Sequence, residues 1–99
     1  MNKLRASELP VFDMADYLAT PEDIAEYLTA VLEDNDPAEI QHALGAIARA
    51  RGMSEVARSS GLTREALYKA LRSGSHPQFD TILKVCTALG IRLVAQVAK

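Results

Sequence analysis

Residues 54–74 read SEVARSSGLTREALYKALRSG, a single internal glycine between two short runs in which nearly every position that is not apolar is basic or polar. Spacing decides what this stretch builds. Ala57 is small where two helices must approach closely, and Gly61, four residues later, suits a left-handed turn. Val56, Leu62, Leu67 and Ala70 then point inward and hold the two helices at an angle. The pattern predicts a helix-turn-helix whose second helix runs from a Thr63 cap to about Arg72.

The outward face of that second helix carries Arg64, Glu65, Tyr68, Lys69 and Arg72, with Thr63 at its start. N-terminal residues of a recognition helix reach base edges, so Arg64 is read as a bidentate donor to guanine and Glu65 as an acceptor from cytosine N4. Lys69, Arg72 and the Tyr68 hydroxyl suit phosphates, and Ser54, Ser73 and Ser75 are further phosphate candidates. The plainer alternative is two amphipathic helices with an ordinary solvated face. The Ala57 and Gly61 spacing and the striped helices on either side favour DNA.

Those flanking helices announce themselves by their caps. In TPED, Thr20 is an N-cap, Pro21 takes the first helical position and Asp23 completes a capping box; Ile24, Tyr27, Leu28, Val31 and Leu32 follow as one apolar stripe. DPAE repeats the grammar with Asp36, Pro37 and Glu39, and Ile40, Ala43, Leu44, Ile47 and Ala48 form the second stripe before a stop at Gly52. The predicted helices cover about 21–33 and 37–51, then 54–60, 63–72 and 79–89. The last, weakly capped by Gln78, is expected to bury Phe79, Ile82, Leu83, Cys86 and Leu89, with Gly90 just beyond its end. After Gly90 the period changes, and Ile91, Leu93, Ala95 and Val97 alternate as in a short β-strand over about 91–97. A lone strand needs a partner, from this chain or another. Near the start, FDMADYL is read as one or two helical turns with Phe12, Tyr17 and Leu18 seeking a surface.

Ninety-nine residues at 48% hydrophobic content fit one compact domain with a modest core. Net charge is only −2, but it is unevenly placed. Residues 1–39 hold ten acidic side chains against Lys3 and Arg5, a net of −8, whereas residues 40–99 hold nine basic ones against Glu55, Glu65 and Asp80, a net of +6. One region is fitted to a polyanion and the other to a basic partner. The chain therefore divides into an acidic N-terminal extension, residues 1–36, and a DNA-binding region, residues 37–99.

The segment 40–89 resembles the five-helix lambda-repressor or Cro-like (XRE) helix-turn-helix class, an all-α fold. From ELPVFDMADYL through ALGAIARARGMSEVARSSGLTREALYKALRSGSHPQFDTILKVCTALGIRL, the chain is similar to addiction-module antidote proteins, the HigA-like antitoxins of prophages and plasmids. ARARGM, GLTREALYKAL and ALGIRL are distinctive together. The resemblance implies a homodimeric repressor of its own promoter that also neutralises a RelE or HigB-like toxin, a basic ribonuclease that cleaves messenger RNA. Between Gly52 and Ala57 the chain is one residue shorter than the class pattern, so the phosphate-clamping glutamine of that class is not carried over. His76 and Pro77 stand where the class has Asn-Pro, and a turn role is read for His76.

An acidic segment complements the basic groove of such a ribonuclease. Phe12, Asp13, Asp16, Tyr17 and Leu18 are accordingly the toxin-binding candidates; the plainer role for residues 20–36 is a solubilising helix over the core. Catalytic chemistry is not expected. His42, His76 and Cys86 lack metal-ligand spacing, Cys86 falls on an apolar stripe, and Ser73, Ser75, His76 and Asp80 are neighbours in sequence without triad logic. No cofactor, secretory segment or membrane span is read, and one cysteine fits a reducing cytoplasm. Two alternatives keep the fold: a stand-alone phage-type repressor, and a toxin inhibitor without DNA binding.

Overall fold

The computed structural model describes residues 17–98. Its regular structure is five helices: α1 Pro21–Leu32, α2 Pro37–Arg51, α3 Met53–Ser60, α4 Arg64–Leu71 and α5 Phe79–Ala88. The all-helical architecture agrees with the expected class, and each helix lies within two residues of its expected bounds.

The caps act as read. Thr20 Oγ1 accepts from the Asp23 N–H at 3.1 Å, and Asp36 Oδ1 accepts from the Ala38 N–H at 3.0 Å. Only the forward arm of the TPED box forms, because no hydrogen bond returns from the Asp23 carboxylate to the Thr20 N–H. Aspartate is one methylene shorter than the glutamate or glutamine that usually closes this box. α3 starts one residue early, at Met53, directly from Gly52 and without a side-chain cap bond. Gly61 closes α3 at φ +78°, and the Leu62 N–H reaches back to the Ala57 carbonyl at 3.0 Å. A glycine is favoured there because of its conformation, since no atom lies within 4 Å of where a Cβ would stand.

α2 runs through the centre, burying Ala43, Leu44, Ile47 and Ala48. α1 packs on α2, α3 on both α4 and α5, and α2 on α3 and α4. The core also holds Leu18, Ile24, Leu28, Val56, Ala57, Leu67, Leu71, Val85, Cys86 and Leu89. Leu18, Ile24 and Leu28 thus belong to the same core as the helix pair downstream, so α1 shares one core with it.

One expectation needs correction, and a second finds no partner among the described residues. In α5 the buried stripe is Val85, Cys86 and Leu89, with Ile82 half-buried, while Phe79 is 67% exposed and Leu83 40%. Stripes starting at Phe79 and at Ile82 both satisfy the i, i+3, i+4, i+7 rule, because they overlap on one broad apolar arc opposite Asp80, Lys84 and Thr87. Contacts with α3 select the second. The expected strand over 91–97 does not form within the chain, where residues 91–98 carry no regular structure. A strand needs a ladder partner, and there is none among the described residues. The alternation survives as burial only at its start: Ile91 and Leu93 pack on the core, while Val94 and Val97 are 69% and 92% exposed.

Candidate nucleic-acid interface

α4 is anchored from one side. Leu67 and Leu71 are its buried residues, and Thr63 Oγ1 caps it by accepting from the Ala66 N–H at 2.9 Å. Eight residues are too few for a helix to persist alone, so these two leucines hold the helix in place. The opposite face leaves Arg64, Glu65, Tyr68, Lys69 and Arg72 exposed together, flanked by exposed Thr63 and Ser73. Ser54 is exposed in the first turn of α3.

Arg64 folds over Tyr68, one turn on. Its Nη2 donates to the phenol oxygen at 3.0 Å, and its guanidinium carbon stands 5.4 Å from the ring centroid. The contact orders two long side chains at the start of α4 and leaves most of the guanidinium donors unengaged. Arg58 and Glu55 form an ion pair on α3, whereas Arg64, Lys69 and Arg72 have no carboxylate partner among the described residues. Glu65, Tyr68, Lys69 and Arg72 line an open cleft of about 680 Å³ that α2 shares through His42 and Arg49. Sequence reasoning weighed His42 only as a metal ligand and missed Arg49 as a site residue; the one signal was their seven-residue spacing on a common helix face.

Ser75 proves to be structural. Its hydroxyl accepts from Gln41 Nε2 at 2.6 Å and donates to the Ala70 carbonyl at 2.8 Å, and Gln41 Nε2 also reaches that carbonyl at 3.0 Å. A side chain of α2 thus ties the end of α4 to the following loop. Gln41→Ala should destabilise the fold by about 1–2 kcal/mol, because it strips a partly buried carbonyl of one donor. Urea denaturation would register this as a lower midpoint at constant m; an unchanged midpoint would mean that the tie is dispensable.

Of the toxin-contact candidates, Phe12, Asp13 and Asp16 lie outside the described residues. Tyr17 is 48% exposed and meets Tyr27 edge to face at 6.3 Å. Leu18 is fully buried in the core and so is not available as a surface anchor. Arg51 Nη1 donates to the Ala19 carbonyl at 2.8 Å, fixing the chain before α1 to the end of α2. Burial pushes the Cys86 thiol above its ordinary range, keeping it protonated. Among the described residues no group of three or more His, Cys, Asp or Glu side chains is placed to hold a metal ion, and no helix is long and apolar enough to cross a membrane.

Fold and site together define a small all-helical protein with an exposed, unneutralised basic helix face. The family model described as "Probable addiction module antidote protein" matches residues 8–97, and the chain belongs to that family, whose role is that of antidote to a toxin. An "Uncharacterized protein" of Haemophilus influenzae (strain Rd) is 44% identical over 89 residues, spanning 90% of this chain and 92% of its own. No solved structure matches.

Proposed function

We propose that the protein is the antitoxin of a type II toxin–antitoxin module that represses its own promoter as a homodimer and neutralises an mRNA-cleaving toxin of the RelE or HigB type. In this reading residues 37–99 form a lambda-repressor-like helix-turn-helix unit, α3 and α4 being its helix pair, and the acidic region 1–36 meets the toxin. The protein acts by binding, in the cytoplasm, without catalysis or cofactor.

The observation that carries the DNA half is α4 itself: anchored by Leu67 and Leu71, it leaves Arg64, Lys69 and Arg72 exposed and unpaired with any carboxylate among the described residues. Ser54, Thr63 and Ser73 supply phosphate contacts around it, Tyr68 steadies Arg64, and Arg64 and Glu65 read bases. Family membership supports the toxin half, and the net of −8 over residues 1–39 suits a basic ribonuclease. Tyr17, Asp13, Asp16 and Phe12 are the contacts proposed there. Dimerisation is supported by Phe79, Leu83, Val94 and Val97, all apolar and all exposed. One unit reads few base pairs, and a two-fold dimer places half-sites about 34 Å apart. The 91–97 segment gains a ladder partner across such an axis or from a toxin sheet.

Fluorescence anisotropy with the protein's own upstream duplex beside a scrambled one tests the DNA half. The wild type should prefer its own sequence, with log K falling by about 0.9 per log unit of salt for each phosphate neutralised. Arg64→Ala should erase the preference by about 1–3 kcal/mol while leaving binding to scrambled DNA nearly intact. Equal binding of both duplexes by the wild type would leave a toxin inhibitor without DNA reading.

A further inference from the structure

The outward face of α4 is one wall of a cleft rather than a bare convex surface, and the opposing wall comes from α2. Along α2, Ala38, His42, Gly45 and Arg49 fall on one helical stripe facing that cleft. Gly45 is buried, and a Cβ there would stand 3.3 Å from a guanidinium nitrogen of Arg49 and 3.4 Å from the Leu71 carbonyl oxygen. A side chain at position 45 would therefore press against the Arg49 guanidinium. Arg49 lies back along its own helix, so that its guanidinium passes over Gly45.

Charge in the cleft is one-sided. Arg49, Lys69 and Arg72 line it with Glu65 as the sole carboxylate, and none of the three cations has an ion pair or side-chain hydrogen bond among the described residues. Three unpaired cations that line one cleft from two sides favour an anion between them. Arg49 brings a planar fork of donors, which matches the oxygens of a phosphodiester better than a point charge does.

We infer that this cleft seats a backbone phosphate of duplex DNA, held by Arg49 from α2 and by Lys69 and Arg72 from α4. Gly45 is the residue that gives the Arg49 guanidinium its place. The inference rests on the DNA reading proposed above, and it makes α2 a second contacting element that fixes how α4 sits on the duplex.

The test uses the full chain, the upstream duplex and a scrambled one, with anisotropy titrations at several salt concentrations. Arg49 is exposed, so Arg49→Gln spares the core. It should weaken binding to both duplexes by about tenfold and make the salt slope shallower by about 0.9, leaving the preference between them unchanged. Gly45→Ala adds a residue with better helix propensity, so thermal stability should hold or rise. It should nevertheless weaken binding by about threefold, because the new methyl group, set between the Arg49 guanidinium and the Leu71 carbonyl, makes the flexible guanidinium give way. Wild-type preference combined with an unchanged slope and affinity in Arg49→Gln overturns this inference alone. Failure of the wild type to prefer its own duplex overturns the DNA reading, and this inference with it.

Discussion

Leu67→Ala should lower the stability of the fold by about 3 kcal/mol, the largest loss expected from any single change in α4. Leu67 is fully buried, and only Leu71 shares its anchoring role within the helix. Truncation removes the transfer free energy of the lost carbons and leaves a cavity, because α3 and α2 on the other side are themselves tied to the core and cannot collapse inward. Small domains have only about 5–15 kcal/mol in total, so this loss is a large fraction of the margin. Lys69→Ala, two residues away on the exposed face, should move stability by less than about 0.5 kcal/mol. Urea denaturation followed by far-ultraviolet circular dichroism separates the two: a large drop in midpoint at constant m for Leu67→Ala, and almost none for Lys69→Ala. Equal midpoints for the two variants would mean that α4 is not docked through Leu67. DNA affinity should rank them in reverse at temperatures where both remain folded, because Leu67 touches no solvent and Lys69 is wholly outward.

That inverse ranking reflects how differently the fold and the site are written in the chain. Caps and turns were legible because their chemistry is local: Thr20, Asp36 and Thr63 satisfy amide groups within three residues, and Gly61 meets a dihedral requirement of its own backbone. The inward set Val56, Ala57 and Leu67 was legible for a related reason, since a turn of fixed length leaves few ways to appose two short helices. The face of α5 was not, because its broad apolar arc holds two overlapping stripes and only the neighbours choose between Phe79 and Val85. The tail's state was not legible either, because a strand needs a partner, which no pattern in residues 91–97 can supply. The cleft was invisible for a deeper reason. Arg49 and Arg72 are 23 positions apart, and their convergence depends on the crossing of α2 and α4 at Gly45, a position that sequence alone reads as a helix weakness. Gln41 and Ser75 make the same point, joining segments 34 residues apart through one hydrogen bond.

Phe79→Asp should convert the proposed dimer to a monomer and weaken binding to a two-half-site duplex by about 100-fold or more, with little change in thermal stability of the protomer. Phe79 is 67% exposed, so the monomer core does not depend on it. It stands beside Ile82 and Leu93 along an apolar groove of about 650 Å³, from which the chain leads on to the exposed Val94 and Val97. Water contact with so much adjoining apolar surface is unfavourable, and a second copy that covers it gains about 25 cal/mol for each Å² buried. A carboxylate placed at its edge, and repeated by symmetry on the other protomer, must be desolvated against a like charge. The effect on DNA is larger than the effect on the protein because two linked half-site contacts multiply: tethering adds a factor of about 10²–10⁴ over one unit alone. Sedimentation equilibrium, anisotropy and a thermal melt on the same sample measure the three quantities together. A dimer that persists in Phe79→Asp with wild-type affinity assigns the exposed α5 face to another partner, and Val97→Lys then reports whether the tail alone holds the two copies together.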